Sequence, residues 1–402
     1  MRGGSAGNVL VVRLSDSRAE ARFRADLAAW LAENQPAADR ASDPPRSAGH
    51  IPTWARDWQR TLFDAGWLVP RWPPELGGRD ASAVEQMIYL EELARGRVPR
   101  TTNPQGLDVC APTLADHGVG PQQDDWLPAT LRGETSWCVA VDQVEAVEPT
   151  GGSTPPESAR APTIVEGEGA KLSLHGSVAA PAGAADADRC LCGVTAEAGG
   201  RRVDGVAVVA VDLEADGVAR PTGAADRLVF DDVGIDEGQI IGERDQGWPV
   251  LQSVRARLRS VRWITSLLAI ERALGSLAEV GRARGLADDG VFRDTLAGLQ
   301  VEADAVRALA YRALAKQSSG RPNPELAMLP LVTAQTEERV YLTGLEVLGA
   351  DGLDMGLDGP QGWPSGSWAS EWADATAEVA AAGGLGAERD RVAGRVLGLR
   401  LR

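Results

Sequence analysis

Histidine, lysine and cysteine are all scarce in this 402-residue chain, and the scarcity of histidine and cysteine removes whole classes of function. The three histidines are His50, His117 and His175. None has a second ligand at helical spacing, so a His-based metal centre is not expected and a Ser-His-Asp triad has few candidates. The four cysteines, Cys110, Cys138, Cys190 and Cys192, include no CxxC pair, and the two close ones are separated by a single residue. That spacing suits neither a zinc site nor a disulfide framework, so reduced, buried thiols are expected. No apolar run reaches the roughly 20 residues that a membrane helix needs. The opening stretch lacks a secretory cleavage pattern, and a cytoplasmic location is expected. Acidic residues exceed basic ones, giving a net charge of −16. That balance argues against a general nucleic-acid or anionic-membrane binder and favours solubility.

Several motifs are missing too. There is no GxGxxG after a strand, no GxxxxGK[ST] and no GxSxG, so a Rossmann fingerprint, a P-loop and a nucleophile elbow are unsupported. Asp212, Glu214 and Asp216 start like a calcium loop, but the twelfth position is Gly223 and a surface turn is the better account.

What is present falls into three parts. Residues 1–14 read as a loose tail. From 15 to 132 the pattern is helical. Ser17 and Glu20 form a capping box, Phe23, Leu27, Trp30 and Leu31 make a buried stripe, and Trp54, Trp58 and Leu62 mark a second helix. Residues 82–96 form a third helix. From 133 to 243 short β-like runs alternate with Gly, Pro and Asp, which predicts a small antiparallel β-domain. Within it, residues 143–170 read as an exposed polar loop. From 244 to 402 long helices return, the first over about 247–284, with Leu251, Val254, Leu258 and Val261 on one face. The twelve tryptophans mostly sit on helical stripes and read as core. The sum is an α+β chain.

The ordered segments GWLVPRWPPELGG (66–78), EELARGRVP (91–99), APTLADHG (111–118), LPATLRGETSWC (127–138), RLVFDDVGI (227–235), IGERDQGW (241–248), EVLGADGL (346–353) and RVLGL (395–399) resemble those of the acyl-CoA dehydrogenases. The likeness covers nearly the whole chain. It implies an N-terminal helical domain, a central β-domain and a C-terminal four-helix bundle. It also implies FAD at a subunit interface, an acyl-CoA thioester substrate, and α-proton abstraction by a glutamate with β-hydride transfer to the flavin. Trp137 and Cys138 would begin the flavin strand, Gly383 and Gly384 would approach the flavin closely, and Arg259 would lie near the thioester cleft.

The departures from the family pattern agree with one another. After Trp137-Cys138 the Ser/Asp flavin loop is replaced by VAVDQVEAVEPTGGST, and the next flavin strand, 177–188, has no aromatic. The Gly-Thr motif falls on 381–386 without its Thr or its acid. The two positions for the glutamate base hold Leu258 and Ala382, and neither side chain accepts a proton. Glu371, Asp374 and Glu378 are the substitutes within reach in sequence. The first expectation is therefore a degenerate partner subunit of a heteromeric FAD-dependent enzyme, with FAD only at the interface with a paralogue, or with none. The second is a fold repurposed to bind or convert an acyl thioester, free or carrier-bound, without flavin redox chemistry. The third is an ordinary dehydrogenase with an unrecognised base.

Overall fold

The computed structural model describes residues 16–36, 53–95, 98, 100–101, 103–141, 144, 161–166, 172–181, 183–198, 201–221, 227–242, 247–318, 323–353, 367–381 and 384–399. Five helices come first: α1 (Arg18–Asn34), α2 (Thr53–Asp64), α3 (Ala83–Arg95), α4 (Ala111–His117) and α5 (Leu127–Leu131). The capping box forms at the start of α1. Ser17 Oγ accepts from the Glu20 amide at 3.3 Å, and the Glu20 carboxylate accepts from the Ser17 amide at 2.5 Å. Both donors would otherwise be orphaned at a helix start. Leu27 and Leu31 face inward, and the Trp30 and Trp58 rings stack at 5.6 Å between α1 and α2.

Seven strands follow: β1 (Trp137–Ala140), β2 (Thr163–Glu166), β3 (Leu172–Ala179), β4 (Arg189–Ala198), β5 (Arg201–Asp212), β6 (Val218–Ala219) and β7 (Arg227–Ile235). The path runs β1-β4-β2-β3-β7-β6, with β5 also on β4. Among the described residues the sheet is mixed rather than purely antiparallel. β1 and β2 both pair with β4 in parallel, at 189–192 and 195–198 respectively, while β5 runs antiparallel along the other edge. The parallel pairs arise because β1 and β4 are separated by a long connection instead of a hairpin. That connection also contains β2, so Thr163–Glu166 is a strand where a loop was expected. Ile164 is buried and holds it in the sheet.

The last five helices are α6 (Gly247–Ala283), α7 (Gly290–Ser318), α8 (Glu325–Leu348), α9 (Ser367–Ala381) and α10 (Gly384–Arg395). α6 starts hard against the sheet. A Cβ at Gly247 would lie 1.6 Å from the Val206 carbonyl oxygen. Its first turns, with Val250, Leu251 and Val254, join the N-terminal helices and one sheet face in a single core. Its later turns, with Ile270, Leu274 and Leu277, join α7, α8 and α9 in another. The opposite sheet face has its own core, which holds Cys138, Cys190 and Cys192. Alternation along β1 explains the split: Trp137 and Val139 face one core and Cys138 the other. All four cysteines are free and buried. The Cys190 thiol is pushed well up by its hydrogen bonds with Cys138 and Cys192 and by burial.

Charged clusters hold each helical part, and the Tyr311–Glu91 hydrogen bond joins the two. Arg24 on α1 reaches Asp16 at 2.7 Å and, on α3, Glu92 at 2.7 Å and Glu91 at 3.1 Å. Tyr311 on α7 donates to Glu91 at 2.8 Å, and Arg307 donates to Glu271 of α6 at 2.7 Å. Burial raises the Glu271 carboxyl above its ordinary 4.5, outweighing Arg307.

Two outcomes are expected. Gly344→Ala would place a Cβ 2.2 Å from the Trp368 ring, whereas Gly275 on α6 has nothing within 4 Å. Thermal denaturation should show Gly344→Ala less stable by about 1–3 kcal/mol, an overpacking cost. Gly275→Ala should be more stable by about 0.5–1 kcal/mol, the helix propensity gain. For Glu271, a carboxyl raised in the folded state favours folding while protonated. That contribution is complete below the unfolded value and is lost as pH rises through the raised folded value. Glu271→Gln should therefore gain stability relative to the parent as pH rises. The opposite trend in denaturant melts at a series of pH values would mean that pairing with Arg307 outweighs burial.

Candidate active site at the seam of β1 and α6

β1 has one edge on β4, and its other edge would be a row of unpaired backbone groups. Side-chain amides from the segment before α4 fill that row. The Asn103 amide accepts from the Trp137 N–H at 3.0 Å and donates to the Trp137 carbonyl at 2.8 Å. The Gln105 carbonyl accepts from the Val139 N–H at 2.8 Å. The chain can come this close because position 106 is glycine. A Cβ there would lie 1.9 Å from Asn103 Oδ1 and 3.3 Å from the Trp137 ring. Residues Gly106–Cys110 form a π-helical turn running into α4, a local widening that proteins often place at functional sites. Trp137 itself is fully buried, and its indole N–H donates to Thr130 Oγ1 at 2.8 Å. Below β1, Ser136 is locked to Asp188, whose carboxylate accepts from both its N–H and its hydroxyl at 2.7 Å.

Beyond β1 the chain meets α6. Arg255 donates to the Val141 carbonyl at 3.0 Å and also to the Val144 carbonyl. Val141, Val144, Leu251 and Val254 are all buried. A Cβ at Gly193 of β4 would sit 2.9 Å from Val144 and 3.3 Å from Leu251. The strand, Val141, Val144 and the helix therefore already touch.

The expected site residues fall around this seam as follows. Leu258 lies three residues beyond Arg255, half-buried and packed against the first core. Trp137 and Cys138 occupy β1, facing opposite cores. Arg259 lies on α6, and Asp374 and Glu378 on α9, but their side chains are outside the described residues, as are Ala382 and Gly383. Gly384 begins α10 with φ +78°, a conformation that favours glycine. Glu371 on α9 already has partners from α8 and α6. It accepts from the Tyr341 hydroxyl at 2.6 Å and from Arg272 at 3.5 Å. Burial, and next to it Glu371, raise the Tyr341 hydroxyl, which therefore stays a donor. In the stretch 177–188, Ser177 Oγ accepts from Arg227 at 2.8 and 2.9 Å. Asn103, Gln105, Gly193 and Arg255 were not singled out in the sequence. Their partners lie tens of residues away, and no local pattern marks them.

The arrangement of helices, mixed sheet and helices is shared with solved structures. "Tcur3481-Tcur3483 steroid ACAD" matches with a TM-score of 0.76 at 21% identity over 97% of this chain and 100% of that one. The ChsE4-ChsE5 complex from Mycobacterium tuberculosis matches with a TM-score of 0.74 at 20% identity over 97% of this chain and 100% of that one. Family models for the acyl-CoA dehydrogenase N-terminal domain and C-terminal domain match residues 17–134 and 245–397. The chain belongs to the acyl-CoA dehydrogenase family. A relative in Mycolicibacterium smegmatis, acyl-CoA dehydrogenase IpdE1, is 26% identical over 94% of this chain and 97% of its own length.

The Asn103 clasp gives a direct test. Asn103→Ala leaves both backbone groups of Trp137 without partners and is expected to cost about 1–3 kcal/mol in chemical denaturation, as for unsatisfied buried groups. Asn103→Asp keeps the acceptor and loses the donor, so it should fall between the two.

Proposed function

We propose that this chain is a partner subunit of a heteromeric acyl-CoA dehydrogenase and that it does not supply the catalytic base. The observation that carries the reading is Leu258, an apolar side chain half-buried against the core at the place where the resemblance puts a glutamate. Glu371, the fallback carboxylate with a described side chain, is engaged by Tyr341 and Arg272. Removing a general base costs roughly 10²–10⁴ in rate, so such a chain needs a complete paralogue to support turnover. Two of the fold neighbours are themselves pairs of differently named chains, Tcur3481-Tcur3483 and ChsE4-ChsE5. The substrate under this reading is an acyl-CoA, and FAD belongs to the interface with the paralogue. When bound there, FAD accepts the β-hydride. This chain's own part is to present the walls of the thioester cleft and the surface on which the paralogue docks.

Co-expression with a complete paralogue, with the affinity tag on one chain, tests this. The expected result is a co-purifying complex that reduces a dye acceptor with acyl-CoA, and no dye reduction by this chain alone. Dehydrogenation by the isolated chain at a rate matching the complex would overturn the reading in favour of an unrecognised base. A stable homo-oligomer that ignores the paralogue would overturn it in favour of a repurposed fold.

A further inference from the structure

We infer that the seam between β1 and α6 of this chain is closed to a flavin ring, and that Arg255 is the residue that closes it. The inference rests on the partner-subunit reading and assigns its physical cause. An isoalloxazine is a flat slab with one polar edge. It needs a gap about one aromatic ring thick, roughly 3.5 Å. Its pyrimidine edge also needs hydrogen-bond donors for the carbonyl oxygens and an acceptor for the ring N–H.

Neither is on offer here. Trp137, Val139, Val141, Val144, Leu251 and Val254 are each 7% exposed or less, so among the described residues no slot runs between strand and helix. The fit is tight enough that even a methyl group on Gly193 would lie 2.9 Å from Val144. Several of the polar backbone groups are already engaged. The Trp137 and Val139 amides go to Asn103 and Gln105. The Val141 and Val144 carbonyls go to Arg255. A ligand at this edge would have to displace those bonds and leave buried groups orphaned, which is costly.

Arg255 is distinct within this set. Asn103 and Gln105 only complete an edge strand. Arg255 joins two elements, and one guanidinium nitrogen reaches two carbonyls that lie three residues apart. Arg255 also sits on α6 four residues after Leu251 and three before Leu258, spacings that share a helix face. Without it, the chain leaving β1 has no described polar tie to α6.

Hydrogen exchange with mass-spectrometric readout on the full-length chain tests the inference, alone and in the joint complex, with and without added FAD. Peptides covering 137–144 and 250–258 of this chain are expected to show no FAD-dependent protection in either setting. Tenfold or greater slowing on FAD addition, on the order of a local opening suppressed, overturns the inference. Arg255→Gln should speed exchange in 137–144 by about tenfold, since local opening sets the rate, and Arg255→Lys should restore part of it. An Arg255→Gln chain whose seam exchanges like the parent overturns the assignment of Arg255. If Arg255→Gln does not fold, Arg255→Lys carries the same comparison, because a single ammonium replaces the forked donor. The two levels separate cleanly. A complex that forms but shows FAD-dependent protection in this seam sinks the inference and leaves the partner reading standing. Absence of any complex sinks the partner reading, while the exchange measurement on the chain alone still judges the seam.

Discussion

The structure depends on how β1 disposes of its second edge. An edge strand at the centre of a protein carries donors and acceptors that water cannot reach, and burial without partners would cost on the order of a kilocalorie or more for each. Here Asn103 and Gln105 act as a substitute strand. That places the π-helical turn, and with it α4, against the sheet. It also requires glycine at 106. The N-terminal helices, the sheet and the start of α6 then share one core, and the position of β1 sets where each meets the others.

α6 is the second long-range constraint. Over its 37 residues it passes from one core into another. Its N-terminal end is pinned by Gly247 under the Val206 carbonyl and by Arg255 on the Val141 carbonyl just after β1. Its later turns are held by the Glu271–Arg307 pair and by packing on α7 and α8. Leu258 falls in the first of these stretches, half-buried against the core shared with the N-terminal helices. Leucine there is consistent with the apolar core it packs against. Glu371, held by Tyr341 and Arg272, serves the bundle.

Much of the architecture was legible in the sequence. Helical patterns placed α1, α2, α3 and α6 near their observed positions, with apolar residues at the 3.6-residue period in α1 and α2. The capping box at Ser17 and Glu20 was readable because it is local. β2 was missed because four residues, Thr163–Glu166, flanked by a long polar connection carry too little periodicity to stand out. The parallel direction of β1 and β2 on β4 was also not legible, since pairing direction depends on connections rather than on the strands themselves.

The sequence by itself determined which chemistry is absent at Leu258, because a side chain without a titratable group cannot act as a base wherever it lies. It also determined the family, through the order of many individually weak segments. Only the tertiary structure decided what occupies the seam. That Arg255 spends its donors on Val141 and Val144, that Asn103 completes β1, and that Glu371 answers to Tyr341 are facts about groups distant in sequence. They follow from the requirement that buried polar groups find partners in three dimensions, and that requirement leaves no local mark in the chain.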